Sequence, residues 1–219
     1  MSFNEKIFLS YIKKLNCFEN KPTIAVGVSG GPDSMLLTYL LSKWIKSING
    51  KLYALIFDHS IRSNSIEESY QVKDMLKYLD IESHIITVKK NKLIKKNMAN
   101  ARANRFEGLT NFCKKNNILH LFLGHHFDDN LETFLIRKIN GSNLEGLACM
   151  DSFSYFNNIQ ILRPLLKINK LSILNFNKKN KIKFINDPSN NDSNYTRVKV
   201  RNFFKQKDFK KIVEKEFLY

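Results

Sequence analysis

Disulfides, structural zinc and paired-cysteine redox chemistry find little to build on in this chain. Its 219 residues include three cysteines, Cys17, Cys113 and Cys149, far apart and with no C-x-x-C. An odd, scattered set supports neither a disulfide framework nor a cysteine-rich metal site. Each cysteine is expected to be a small apolar residue in a reducing compartment. No apolar run is long enough to span a bilayer. The stretch Met1 to Asn20 mixes Glu, Lys and Asn through its apolar positions and so lacks the core of a secretory leader. The expected setting is the cytoplasm, with no membrane. No internal repeat or low-complexity linker divides the sequence. Acids are scarce: 20 Asp and Glu stand against 36 Lys and Arg, for a net charge of +16. That excess favours a polyanionic partner, nucleic acid first. A general bias toward Lys, Asn and Ile accounts for the charge equally well.

What the chain does contain starts with Val26-Gly27-Val28-Ser29-Gly30-Gly31-Pro32-Asp33-Ser34. A run of β-formers ends in Ser-Gly-Gly, and an apolar-periodic helix opens at once. The glycines permit a tight turn and close backbone approach to a ligand. Pro32 suits a first helical turn, where no N–H is needed. Ser29, Gly30, Gly31, Pro32, Asp33 and Ser34 thus form a candidate phosphate cradle of loop and helix-start N–H groups. A carboxylate beside phosphate would repel it, so Asp33 reads as a ligand for a bridging Mg²⁺. The Walker loop is excluded, because it requires a Lys after the glycines. An ordinary strand–turn–helix joint is the bland alternative.

Strand-like runs at Thr23–Val28, Leu52–Phe57, His84–Val88 and His120–Leu123 alternate with helical patterns. Met35, Leu36, Leu40, Trp44 and Ile48 line one helical face. Ser65 and Glu68 have capping-box spacing for a helix through Tyr78. Another helical stretch runs from about Met98 to Lys115. The pattern predicts an α/β fold: a mostly parallel sheet with helices on both faces. Residues 1–21 read as a helical lead, 22–201 as the main domain and 202–219 as a basic helical tail. Ligands in such folds bind beyond the carboxyl ends of the strands.

Polar residues gather at those ends. Asp58, His59 and Arg62 follow the second strand and suit a ribose, a metal or a phosphate; a solvated turn is the plainer reading. Arg102 and Arg105 lie three apart on one helical face and suit phosphate charge or a stacked base; a basic surface helix accounts for them equally well. His125, His126, Asp128, Asp129 and Glu132 crowd a strand end and helix start. Zinc is one reading of that block, disfavoured because no cysteine or fourth ligand lies nearby. Helix capping by Asp128 or Asp129, or a grip on a cationic substrate, are the others. Asn140-Gly141-Ser142 then ends the helix. Asp187-Pro188-Ser189-Asn190 reads as a turn, and Tyr195 to Arg201 as a basic stretch.

In this order the blocks resemble the tRNA(Ile)-lysidine synthetases of the PP-loop ATP pyrophosphatase superfamily. The blocks are Ser29–Ser34, Asp58-His59-x-x-Arg62, Ala101-Arg102-x-x-Arg105, Gly124-His125-His126-x-Asp128-Asp129-x-x-Glu132-Thr133, Gly141-Ser142 with Gly146-Leu147, Arg163-Pro164-Leu165 and Asp187–Asn190. They extend over about Pro22 to Arg201. The resemblance implies a Rossmann-like ATPase fold and the use of ATP and Mg²⁺. ATP would adenylate the C2 carbonyl oxygen of the wobble cytidine in an isoleucine tRNA with a CAU anticodon. The amine of free lysine would then displace AMP. It implies that the loop and Asp33 serve pyrophosphate and Mg²⁺. Asp58, His59, Arg62 and His125 would join them around the nucleotide. Arg102 and Arg105, with Arg197 or Arg201, would face transition-state charge, and Asp128, Asp129 and Glu132 the lysine.

Three departures stand out. Val198 replaces an Asn usual in the family, Phe106 replaces a common Tyr, and the chain ends eighteen residues after Arg201. The expectation is that the family's C-terminal tRNA-binding domains are absent and that the basic surface substitutes for them. A homodimer is left open. The competing readings are a tRNA thiolase of the same superfamily and a non-catalytic RNA-binding remnant.

Overall fold

The computed structural model describes residues 3–58, 65–87, 98–186, 196–204 and 207–218. In chain order the elements are α1 (Glu5–Leu15), β1 (Thr23–Val28), α2 (Pro32–Ser47), β2 (Lys51–Asp58), α3 (Ser65–Lys77), β3 (Glu82–Thr87), α4 (Met98–Lys115) and β4 (His120–Leu123). They continue with α5 (Phe127–Ile139), α6 (Leu144–Leu147), β5 (Phe153–Phe156), β6 (Ile159–Leu162), α7 (Lys170–Lys179), α8 (Thr196–Phe204) and α9 (Lys207–Leu218). The strands form one sheet in the order β3-β2-β1-β4-β6-β5. All neighbours pair in parallel except the β5–β6 hairpin. This is the α/β architecture expected from the alternating pattern.

The chain steps outward from β1 to β3, then crosses back to lay β4 on the other side of β1. That reversal opens a crevice beyond the carboxyl ends of β1 and β4. The register places Gly27 of β1 level with Leu123 of β4 and Leu55 of β2. The segments after these strands therefore emerge side by side.

Both faces of the sheet are covered. Ile24, Val26 and Val28 point into a cluster with Phe8 and Ile12 of α1, Leu37 and Leu41 of α2 and Ile173 of α7. Ala25, Leu55, Leu121 and Ile161 face Leu109 and Cys113 of α4. A strand buried on both sides must be apolar along its buried length, and β1 is from Ile24 to Val28. A third cluster joins Leu131, Phe134 and Leu135 of α5 to Val200 of α8 and Val213 of α9. Cys17, Cys113 and Cys149 pack in three different clusters.

Several details differ from the sequence reading. The second strand starts earlier, at Lys51, and the third runs Glu82–Thr87 rather than from His84. Ser65 is the first residue inside α3 and not its cap. Phe8 and Ile12 of the helical lead are core residues, 1% and 2% exposed. The β5–β6 hairpin was not anticipated. Asn157 and Asn158 turn it with φ of 51° and 63°, the paired positive values of a type I′ turn. Gly141, with φ of 70°, ends α5 as expected: Ser142 N–H donates to Arg137 and Gly141 N–H to Lys138.

Leu55 is fully buried in the middle of the sheet. Leu55→Ala is expected to cost about 2–5 kcal/mol, read as a lower urea midpoint at unchanged slope.

Candidate active site

The loop after β1 is braced from within. Ser29 N–H donates to Ser34 Oγ at 3.2 Å, and Ser34 Oγ donates to the Gly31 carbonyl at 3.1 Å. Gly30 holds φ of 80°, and a Cβ there would meet Val72 Cγ2 at 2.5 Å. Only glycine fits that position. Gly31 precedes α2 and Pro32 opens it, so the first N–H groups of the helix face the crevice without a side-chain cap. Gly124, just past β4, lies so close that a Cβ would sit 3.1 Å from Ser34 N. The loop is also tied to α7 by Asn177, whose amide donates to the Pro32 carbonyl at 2.9 Å.

Opposite the loop stands the start of α5, with Asp128 and Asp129 in its first turn and Glu132 in its second. Asp129 accepts from His126 N–H at 3.0 Å and so caps the helix from within. Asp33 Oδ1 and Asp129 Oδ2 lie 3.6 and 3.7 Å from the same His126 Nε2. The loop carboxylate and the helix carboxylate thus converge.

Each neighbouring acid has a cation from the C-terminal third. Lys170 Nζ grips both oxygens of Asp33, at 2.6 and 2.8 Å. Asp128 accepts from Lys170 N–H at 2.7 Å and from Lys210 Nζ. Burial raises Asp128, but these donors outweigh it and hold its carboxyl below the usual range. Arg201 forks onto Glu132 at 2.5 and 3.2 Å and comes within 3.9 Å of Asp129. Burial alone would lower the Arg201 guanidinium, yet Glu132, Asp129 and Asp33 hold it above its ordinary value. Burial keeps Glu132 above the usual carboxyl range even though Arg201 opposes it.

On the other side the charge is unbalanced. Burial, and then Arg197, lowers Arg102; burial, and then Arg102 and Arg197, pushes Arg105 down to about 10, with Asp129 opposing both. Arg163 is lowered by burial and by Arg102. Buried Arg105 Nε and His125 Nδ1 have no hydrogen-bond partner. Polar atoms left bare inside a protein are costly, and these mark where an anion's acceptors would be satisfied.

The sequence-derived residues therefore come together at one edge. Asp58 is buried at the end of β2, while His59 and Arg62 lie outside the described residues, as do Asp187 to Tyr195. Glu132 is already engaged, since Arg201 takes both of its oxygens. Sequence reasoning missed Lys170, Lys210 and Asn177. Lys170 carried one signal, a base in a helix first turn that lacks acids, where the dipole favours the opposite charge.

A Ser-Gly-Gly-Pro loop at the switch point of a parallel sheet, flanked by arginines, places the chain among the doubly wound α/β proteins. The chain belongs to the PP-loop domain family, which matches residues 4–207. It is similar to the tRNA(Ile)-lysidine synthase of Orientia tsutsugamushi (strain Boryong), 38% identical over 199 residues, 90% of this chain and 45% of that protein. The tRNA(Ile)-lysidine synthase of Wolbachia pipientis wMel is 36% identical over 211 residues, 95% and 48% of the two chains. The chain spans about half the length of these curated relatives. Among solved structures, the U34-tRNA thiolase NcsA of Methanococcus maripaludis, with its [4Fe-4S] cluster, superposes with a TM-score of 0.75 at 20% identity. That likeness covers 96% of this chain and 79% of the thiolase, and it shows a shared fold. Among the described residues no helix is long and apolar enough to cross a membrane.

The residues suit a nucleotide's phosphates, while Asp33 could offer oxygen to a divalent cation only if Lys170 let go of its carboxylate. Helix-start N–H groups and arginines suit phosphates, and Asp33 and Asp129 are the carboxylates of the chemistry Mg²⁺ takes.

Burial, offset only in part by Asp129, pushes the His125 imidazole down to about 3. The unfolded chain takes up this proton at about 6.5, so stability is full above that pH and drains as pH falls toward the folded value. His125→Asn is expected to flatten the fall in unfolding free energy between about pH 6.5 and 4. Urea titrations across that range measure it, and an unchanged slope contradicts it.

Proposed function

We propose that this chain ligates lysine to C2 of the wobble cytidine of an isoleucine tRNA with a CAU anticodon, using ATP and Mg²⁺ in the cytoplasm. The observation that carries the reading is the convergence of Asp33 and Asp129 on His126. It sets a phosphate loop against an acidic helix start, in a chain similar to proteins named for this reaction.

In the first step the cytidine O2 attacks the α-phosphorus of ATP, and pyrophosphate leaves. Negative charge grows on the departing group, so the helix-start N–H groups of α2 and the guanidiniums of Arg102 and Arg105 stabilise it. Arg163 and Arg197 add to the same positive field. Mg²⁺, when bound at Asp33, offsets phosphate charge. In the second step the ε-amine of lysine attacks C2 and AMP leaves. Lysine arrives as an ammonium and must lose a proton before it attacks. Asp128 and Asp129 are the carboxylates for its grip and for that proton, since Glu132 is committed to Arg201. The wobble base of a single-stranded anticodon loop can be splayed out to reach such a crevice. Sulfur transfer is the weaker reading, because the three cysteines pack in three different clusters.

The decisive assay is incorporation of radiolabelled lysine into a transcribed isoleucine tRNA bearing CAU, with ATP and Mg²⁺. Label that depends on ATP and is lost in Asp33→Ala is the expected result. Binding of tRNA and ATP without label points to the non-catalytic remnant instead. Counterion release predicts a second outcome: log tRNA affinity falls by about 0.7–0.9 per phosphate contact for each log unit of salt. A filter-binding titration with a shallow slope contradicts a phosphate-led interface.

A further inference from the structure

The cations seated on the acids differ in how firmly they are fixed. Lys170 is held twice, by its ammonium on Asp33 and by its backbone N–H on Asp128. Arg201 forks onto Glu132. Lys210 instead reaches Asp128 Oδ1 by its ammonium alone. It also has a second seat: Glu214 Oε1, one turn along α9, lies 3.8 Å from Lys210 Nζ. The helix beneath is anchored independently. Val213 is buried, Phe217 packs edge-on against Phe127 and Phe134 of α5, and Glu216 pairs with Lys138. The lysine can therefore swing between the two acids without moving α9. Asp128 keeps its Lys170 N–H bond throughout, so release of Lys210 frees one oriented carboxylate oxygen. The displaced group is an ammonium on a four-carbon stem, which is also the side chain of the proposed substrate.

We propose that Lys210 is a place-holder for the substrate ammonium at Asp128, moves to Glu214 when lysine binds, and so sets the affinity for lysine. The proposal rests on the ligation reading above and adds a specificity-determining residue to it. An internal competitor raises the apparent KM for lysine and leaves ATP binding alone. It also disfavours amino acids whose side chain cannot displace an ammonium.

Lys210→Met keeps the stem and removes the charge. Its KM for lysine is expected to fall about fivefold, the weight of a partly exposed ion pair, with KM for ATP unchanged. Isothermal titration with free lysine is expected to show the same tightening, and norleucine, which lacks the ammonium, no change. Glu214→Gln removes the second seat and is expected to raise KM for lysine. Opposite shifts in the two variants are not what a merely structural role for α9 produces. If wild type binds and transfers lysine but Lys210→Met shows an equal or higher KM, the place-holder is refuted and the ligation reading stands. If wild type binds no lysine in the titration, both fall.

Discussion

The arrangement around the first turn of α5 depends on one constraint: partly buried carboxylates need cations. Asp33, Asp128 and Glu132 gather at the edge of the sheet, where water alone cannot compensate them. The chain supplies Lys170 from α7, Lys210 from α9 and Arg201 from α8. These partners come from 69 to 137 residues further along the sequence. The pairing therefore draws the C-terminal third over the ends of β1 and β4. Hydrophobic contact through Val200 and Val213 makes that cover adhere, and the ion pairs set where it lands.

The same edge is deliberately uneven in charge. Asp128 and Glu132 each hold a cation, whereas Arg102, Arg105, Arg163 and Arg197 crowd one another with Asp129 and Asp151 as their opposing carboxylates. Such a group weakens the folded state unless an anion visits it, as expected of a site selected for binding rather than rigidity. A positive wall and a balanced acidic wall thus flank one crevice. The first suits phosphates. The second suits an ammonium that can exchange with one already present.

Much of this was legible because local rules and global fold agree. The Ser-Gly-Gly-Pro turn, the apolar run of β1 after Thr23 and the polar residues just past each strand all follow from backbone chemistry and a period that can be counted. Strand ends at Val28 and Leu123 were read to the residue. What could not be read was pairing at a distance. Nothing adjacent to Lys170 or Lys210 in sequence announces Asp33 or Asp128, since the contacts are made only after the sheet brings α5, α7 and α9 together. The β5–β6 hairpin was missed for another reason. Its signal, Asn157-Asn158 between two short runs, is a turn that positive φ values reveal only once they are seen.

The pairing also bears on the departure at Val198. A missing amide there would matter if a hydrogen bond from that position oriented Arg201. In the structure Val198 is a buried apolar residue, 6% exposed, as is Val200 at 3%. Both help seat α8, whose burial carries Arg201 to Glu132. The guanidinium is then oriented by its fork on a carboxylate that burial keeps expensive to leave unpaired. The position of Arg201 thus follows from two terms that oppose each other elsewhere in proteins. Apolar packing brings the helix down, and the penalty on an uncompensated Glu132 selects the rotamer.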